Sequence, residues 1–497
     1  MARIFIDGFE SGSFGMWSAV NGASIGSSPP TGMSGIYYAN LNLTNYYLDK
    51  TLDSSQDDLY MAFKYYPVQV GAEIICGFND SAGTRTITIK RSLTTPYYIE
   101  AHLGAYNGTL LGSGSSVSLA LSSTYLIEIY YKPLNTNGSI IIKVNGVTEI
   151  NVNASADTTA GIENIKSFRL GDYVTSHYTY AYFDDIVLDD ANWIGNTKIQ
   201  AIVPTGAGAT NEFDSVVEQV KHAVAQNTIA QGPFNIRQII PATQLTLSMS
   251  SIRLRLGAVA STLVISGCSI GERNGSTDDF ASAPTRVTFN NGNNGVTIPS
   301  SGEIISDSIT FSLDETKDYL VHFYITSTGS YSYVDHTGID HYYQVSPTSD
   351  DTLVQSVSYS SSLNRWTLIQ GIQSVITDGS LNYMAVSEKP ATDFDYIKTS
   401  SSQIDTYAME NLSGSIASIK SVAVQSRNWR EGNGAYDRAQ HIVRPASTDR
   451  LATSKTSVFP ITATSFQSIW ELNPEDSAAW EEADVNGMEA GIKAVTA

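Results

Sequence analysis

Carboxylates, imidazoles and tyrosines are the side chains of this sequence with chemistry to offer. Asp7 and Glu10 lie in the run Phe5-Ile6-Asp7-Gly8-Phe9-Glu10, and an adjacent pair sits in Tyr182-Phe183-Asp184-Asp185-Ile186-Val187-Leu188. If the strands bearing them pair, four carboxylates meet, which begins a Ca²⁺ site of six to eight oxygens. The competing expectation is a set of exposed edge-strand charges that discourage aggregation, since no Asp-x-Asp-x-Asp-Gly loop is present. Glycoside hydrolysis requires two carboxylates facing one another. Residues 1–192 contain no strand of alternating acids, Glu128 and Glu149 stand alone, and adjacent Asp184 and Asp185 should point to opposite faces of a strand. Gly267-Cys268-Ser269-Ile270-Gly271 has the letters of Gly-x-Ser-x-Gly, but nothing local organises a histidine with Ser269, and no nucleophile elbow is expected there. The expectation is a protein that is not an enzyme.

Two further groups suit binding. The segment Asp335-His336-Thr337-Gly338-Ile339-Asp340-His341 is flanked by Tyr331, Tyr333, Tyr342 and Tyr343. It reads as a solvated loop with packed tyrosines, as a recognition loop built on rigid rings, or as a transition-metal site of imidazole and carboxylate. Tyrosine doublets recur at 37–38, 46–47, 65–66, 97–98 and 130–131. On a strand, one ring of each doublet enters the core and the other faces out. Outward rings stack on sugars or bury against a neighbouring subunit. The candidate binding aromatics are Tyr37, Tyr46, Tyr97, Tyr331, Tyr333 and Tyr342.

The elements that must position these residues are strands. At 497 residues the chain is too long for one core. Only 16% of residues are charged, and 42% are hydrophobic, with 28 tyrosines. Such a composition favours pleated sheets with hydroxyl-rich outer faces over disorder. The net charge of −20 and the lack of a basic stripe in the sequence argue against nucleic acid. Cys76 and Cys268 fall in apolar strand-like runs and read as buried free thiols. No apolar stretch has the length of a membrane span, and the first residues lack a signal-peptide pattern. The expectation is synthesis in a cytoplasm, release by lysis, and no membrane insertion.

The fold class expected is all-β and multi-domain, with few short helices. Residues 1–192 alternate in short runs separated by Gly, Asn and Ser, as an antiparallel sandwich does, and Asn145-Gly146 between two such runs marks a tight hairpin. Asp214–Ile229 carries Val216, Val220, Ala223 and Val224 on one helical face, with Ser215-x-x-Glu218 as a capping box, and predicts a helix. Residues 230–378 form a second strand-rich block. Residues 193–229 and 379–497 read as one discontinuous domain into which that block is inserted, with Lys198–Gly208 as first strand and Ser477 capping a closing helix.

Three resemblances rest on particular motifs. The opening and closing runs of residues 1–192 resemble the concanavalin-like (laminin-G-like) jelly roll, in which first and last strands pair and loop carboxylates often hold Ca²⁺. The middle block, through Ile240-Pro241-Ala242, Ser269-Ile270-Gly271 and Ala283-Pro284-Thr285, resembles a small sandwich found beside phage tail and fibre domains and as an accessory module in some hydrolases. The last block, through Asp405-Thr406-Tyr407-Ala408, Ile469-Trp470-Glu471-Leu472-Asn473-Pro474 and Ala479-Trp480-Glu481, resembles the C-terminal domain of bacteriophage tail and virion proteins. These resemblances imply a virion structural protein: a fibre, collar or surface-decoration subunit. Its partners would be other virion proteins, further copies of itself (a trimer, as in fibres) and host-surface glycans. A purely structural role gluing capsid or tail subunits, and a glycan depolymerase, remain as alternatives.

Overall fold

In the computed structural model, alternation along the chain becomes strands almost throughout. The structure describes residues 3–496 apart from 70–72, 172–177, 221–226, 232, 259–260, 336–340, 346, 360, 377–385, 387–395, 400–401, 415 and 431–435. Two compact units result. One comprises Met1–Glu212, Val386–Asp393 and Thr399–Ala497, and the other Phe213–Ala385 and Phe394–Lys398. No helix among the described residues is long and apolar enough to cross a membrane.

The first unit opens with fifteen strands: β1 (Arg3–Asp7), β2 (Ala19–Asn21), β3 (Ser24–Ser27), β4 (Tyr37–Thr44), β5 (Tyr47–Gln56), β6 (Leu59–Pro67), β7 (Ile74–Asn79), β8 (Arg85–Arg91), β9 (Ile99–Leu103), β10 (Leu110–Ser113), β11 (Tyr125–Lys132), β12 (Gly138–Val144), β13 (Val147–Ala156), β14 (Ile165–Gly171) and β15 (Tyr178–Asp189). They form two antiparallel sheets. One runs β13-β12-β11-β6-β15-β4-β3 with β1 added on β15, and the other runs β10-β9-β8-β7-β14-β5-β2. The inner faces meet in a single core that includes Phe5, Phe9, Trp17, Phe63, Tyr65, Phe78, Ile87, Ile89, Tyr131, Phe168 and Phe183. Burial of that apolar area drives the stacking of the two sheets. As the end runs imply, β1 pairs with β15, Ile6 opposite Val187 and Asp7 opposite Ile186. Asn145 and Gly146 both take positive φ, 51° and 81°, in the hairpin joining β12 to β13.

The rest of this unit is a five-stranded sheet in the order Pro204–Asn211, Ile404–Met409, Glu489–Val495, Arg438–Arg444, Arg450–Leu451, and a two-stranded ribbon of Val422–Asn428 with Thr464–Trp470. The Thr406-Tyr407-Ala408 strand pairs with Pro204–Asn211, about which the intervening 190-odd residues are looped out in sequence. The closing helix is Glu482–Asn486, and its cap differs from the expected one. Glu481 accepts the N3 amide while the Asp484 side chain accepts the Glu481 N–H. Ser477 lies outside the helix, at φ 61°. The ribbon meets the jelly roll at β1. Gln467 accepts the Ile6 N–H on Oε1 (3.2 Å) and donates Nε2–H to the Ile6 carbonyl (2.9 Å), and Arg3 N–H donates to Glu471 Oε1 (2.5 Å).

The second unit stacks a six-stranded sheet built on Met249–Ala258 and Ile369–Ile376 against a seven-stranded one built on Leu263–Glu272, Tyr319–Ile325 and Phe234–Ile240. Its core contains Phe234, Ile252, Leu254, Ile265, Phe289, Phe323 and Trp366. The helix expected from Asp214 onward is a strand instead: Asp214–Gln219 lies between Ile369–Ile376 and Tyr396–Lys398, with Val216 opposite both Val375 and Tyr396. Residues 221–226 of that expectation lie outside the described residues. Partner strands pair it along one edge from Ser215 to Gln219 and along the other from Asp214 to Val216, and adjacent Val216-Val217 suits a pleated surface. Glu218 is drawn in to meet Arg255, with Arg255 Nε donating to Oε1 at 2.7 Å and Nη2 to Oε2 at 3.1 Å. It is a buried ion-pair partner, so the proposed capping role falls.

Candidate functional site

Pairing of β1 with β15 brings Asp7, Glu10, Asp184 and Asp185 to one end of the jelly roll, around the loop before β4. All four are buried, which removes the exposed edge-charge reading. Nor do Asp184 and Asp185 diverge. The register of β15 on β6 slips between Asp184 and Val187, and Asp185 takes φ 51°. This bulge turns both carboxylates toward Ser34, whose N–H donates to Asp184 Oδ2 (2.9 Å) and whose hydroxyl donates to Asp185 Oδ2 (2.7 Å). Asp185 N–H donates to Asp184 Oδ1 and Ile199 N–H to Asp185 Oδ1, at 2.7 and 2.8 Å. Phe9 N–H and the Trp17 indole donate to the two oxygens of Asp7, at 2.8 and 2.7 Å. Ile36 N–H reaches both oxygens of Glu10, at 3.0 and 3.1 Å. Gly35, at φ 65°, allows this approach, because a Cβ there would lie 1.8 Å from Glu10 Oε1.

Every one of the eight carboxylate oxygens thus accepts a hydrogen bond from the chain itself. Burial pushes Asp7 up to about 6, against the pull of its two hydrogen bonds. Burial first, and the neighbouring Asp185 carboxylate second, hold Asp184 well above the usual carboxylate range. Among the described residues, no group of three or more His, Cys, Asp or Glu is arranged to hold a metal. The four acids as placed are anchors for loops.

The candidate aromatics are mostly engaged within the fold. Tyr37 and Tyr46 pack against the jelly-roll core rather than facing out. Tyr97 carries the Arg91 guanidinium 4.8 Å from its ring centre, and Tyr333 carries that of Arg365 at 3.9 Å. Tyr342 packs with Ile239, Phe280 and Leu320, and its hydroxyl accepts from Arg273 Nη2 at 3.3 Å. Tyr331 lies in the strand Gly329–Asp335, its side chain outside the described part. Of the Asp-His segment, His336 and Asp340 lie outside the described residues, His341 is buried, and Asp335 pairs with Arg365. Elsewhere the doublets divide as alternation requires. Tyr65 and Tyr131 are buried, while Tyr66 stacks on Tyr182 and Tyr130 packs on Tyr60.

A different set, not singled out in the sequence, lies on the outer face of the β10-to-β2 sheet. Ile87, Ile89, Phe78 and Leu170 point into the core, so their strand neighbours point out. Register then sets His102, Thr88, Gly77, Arg169 and Asp49 in one line across five strands. The gap above Gly77 is filled by Arg85: a Cβ at Gly77 would lie 1.8 Å from Arg85 Nη1. Arg85 Nε donates to Asn79 Oδ1 (2.8 Å), and Asn79 Nδ2 to Ser167 Oγ (2.9 Å). Arg169 Nη2 donates to Asp49 Oδ2 (2.6 Å), its guanidinium 4.1 Å from the centre of the Tyr47 ring. In the neighbouring line, Lys90 Nζ lies 3.4 Å from Glu100 Oε2 and 4.3 Å from the centre of the Tyr106 ring. His102 Nε2 is 3.0 Å from the same Glu100 oxygen, with Nδ1 held by the Gly108 carbonyl at 3.0 Å. The side chains of Lys90, Glu100, His102, Arg169 and Asp49 are 10–20% exposed, recessed yet in contact with solvent.

No family model matches the chain, and no curated protein matches it. Among solved structures, an endo-β-1,4-glucuronan lyase from the fungus Trichoderma reesei is 14% identical over 38% of this chain and 96% of its own, with a TM-score of 0.30. Domain 4 of AbnA, an arabinanase from Geobacillus stearothermophilus, is 13% identical over 39% and 94%, at TM-score 0.27. A Trypanosoma rangeli sialidase is 10% identical over 36% and 27%, at TM-score 0.25. Likeness at this level carries no argument about what this chain does.

Proposed function

We propose that this chain is a bacteriophage particle subunit, a fibre, collar or surface decoration, that assembles with other particle proteins as a homo-oligomer and adheres to host-surface glycans through its jelly roll. The observation that carries adhesion is the recessed row of polar and aromatic side chains on the outer face of the β10-to-β2 sheet. A sheet holds successive side chains at fixed spacing, about 4.8 Å from strand to strand. Such a row offers an extended chain several hydrogen-bonding groups at little cost in ordering. Placement on a particle rests on the motifs of the C-terminal quarter, Asp405–Ala408 and Ile469–Pro474, and on their resemblance to tail and virion domains. Repetition over a particle would raise the effective affinity of a weak glycan site.

Electron cryomicroscopy of intact particles tests the placement, and a glycan array probed with the full chain tests the adhesion. Ordered density for the chain with the β10-to-β2 face turned to solvent is the expected result. Absence from particles overturns the particle role. Silence across the array, with binding to purified particles, leaves a purely structural subunit. A second reading, a glycan depolymerase, draws on the contact of Glu100 with both Lys90 and His102, which sets three titratable groups within one row. Release of oligosaccharides from host polysaccharide, lost on His102→Ala, would establish it.

A further inference from the structure

We infer that the row on the β10-to-β2 face selects an anionic glycan, one whose sugars bear carboxylate or sulfate groups; this rests on the adhesion proposed above. Residues 1–192 contain 18 acidic and 10 basic side chains. In the two lines described above, three of those bases, Arg85, Lys90 and Arg169, stand with the acids Glu100 and Asp49 and with His102. Within these two lines bases outnumber acids, the reverse of the balance of the domain. Sequence spacing hides it, because Arg85 and Lys90 come from β8 and Arg169 from β14, strands that the fold brings to either side of β7.

The ring positions decide between charge and stacking. A neutral sugar is held mainly by aromatic faces turned to its apolar side. Here the Tyr47 face carries the Arg169 guanidinium and the Tyr106 face carries the Lys90 ammonium. Those faces orient cations, which lowers the cost of ordering long side chains when a ligand binds. Gly77 contributes a second device. Without a side chain it lets the Arg85 guanidinium lie over the sheet between Thr88 and Arg169, its paired neighbours. Two guanidinium groups in adjacent places, each with one nitrogen turned into the protein (Arg85 Nη2 and Arg169 Nε are buried), suit single contacts to the oxygens of a carboxylate or sulfate. Glu100 and Asp49 limit repulsion among the bases and set their positions before a ligand arrives. The line from His102 to Asp49 crosses four strand spacings, about 19 Å, which matches a run of sugars rather than a single one.

The test is calorimetric titration of the full chain with four probes: a polyuronate oligosaccharide, a sulfated oligosaccharide, a neutral β-linked glucose oligomer, and single-stranded DNA of matched charge. One of the two acidic glycans is expected to bind best, its affinity falling by about tenfold or more between 50 and 500 mM salt. Arg85→Gln and Arg169→Gln should each weaken it by about tenfold, with the exposed Lys198→Gln as an unchanged control. Arg169→Gln also breaks the pair with Asp49. Arg85→Gln removes a hydrogen bond to the neutral Asn79 and leaves the Arg169–Asp49 pair in place, and circular dichroism checks the fold of both. Equal binding of the neutral oligomer, or unchanged binding by Arg85→Gln, overturns the anionic preference and leaves adhesion standing. Tightest binding to DNA also overturns it, making the face a phosphate site. Binding of no glycan at all removes the adhesion reading and this inference together.

Discussion

Lowering the pH should loosen the C-terminal sheet through one histidine. His441, 1% exposed in the strand Arg438–Arg444, lies within a chain of hydrogen bonds. Asn428 Nδ2 donates to Ser426 Oγ (2.6 Å), whose hydroxyl faces His441 Nε2 (2.6 Å), while Nδ1 faces Ser468 Oγ (2.8 Å). This network assigns the proton to Nδ1 and leaves Nε2 as an acceptor. A second proton would place a full charge in a site with no carboxylate among these partners, and burial accordingly holds His441 down at about 4, from an ordinary 6.5. The folded state thus favours the neutral ring. Its contribution is complete above about pH 6.5 and is lost as pH falls toward 4, amounting to about 3 kcal/mol at the acid end. Urea titrations between pH 4 and 7.5, read by hydrogen-exchange pulses at one fixed labelling pH over residues 438–444, measure this loss. His441→Gln should lower stability at neutral pH by about 1 kcal/mol for a weakened hydrogen bond, and should flatten the difference between pH 6.5 and 4. A slope that persists unchanged in His441→Gln, or a wild type without one, refutes the reasoning.

Arg255→Ala should destabilise the second unit by about 3–5 kcal/mol, because it leaves Glu218 buried without its guanidinium; urea melting followed by exchange in residues 249–258 reads the loss. Arg237 donates to the carbonyls of Asp278 and Val354 at 2.5 and 2.6 Å, with its guanidinium near the Phe280 and Tyr359 rings. Arg237→Ala should therefore release residues 350–359, seen as new cleavage there in limited proteolysis. Millimolar Ca²⁺ should move the melting temperature of the jelly roll by less than about 1 °C, since the oxygens of Asp7, Glu10, Asp184 and Asp185 already accept protein donors. A rise of several degrees, abolished by Asp184→Asn, would show those acids to be ligands.

The strands of the jelly roll were legible because one face of each sheet is core and the other is not, and alternation records that difference. The pairing of the two end runs was expected from their resemblance to a jelly roll, in which first and last strands pair, and alternation alone does not give it. The segment after Phe213 was misread because its apolar residues satisfy a helical period locally, while its partner strands lie more than 150 residues away. The four acids were found but their geometry was not: a single bulge at Asp185 reverses which face a side chain takes, and nothing in Phe183–Ile186 marks it. The row on the β10-to-β2 face was invisible for a deeper reason. Tyr47, Arg85, Lys90, His102 and Arg169 become neighbours only through the register of five strands, and register is a long-range property. Local pattern identifies faces; it does not say which residues share one.

The contact of Gln467 with both backbone groups of Ile6 has a consequence for biosynthesis. β1 is paired on one side with β15 and on its other side meets the ribbon strand Thr464–Trp470. A nascent chain can assemble the jelly roll once Asp189 has left the ribosome, yet the outward amide and carbonyl of Ile6 wait for some 280 further residues. Throughout that interval the first strand presents an open hydrogen-bonding edge to every other nascent copy nearby. Slow translation, or truncation before Gln467, should thus shift the product toward aggregates joined through residues 3–7, and the ribbon acts as an intramolecular guard that arrives last.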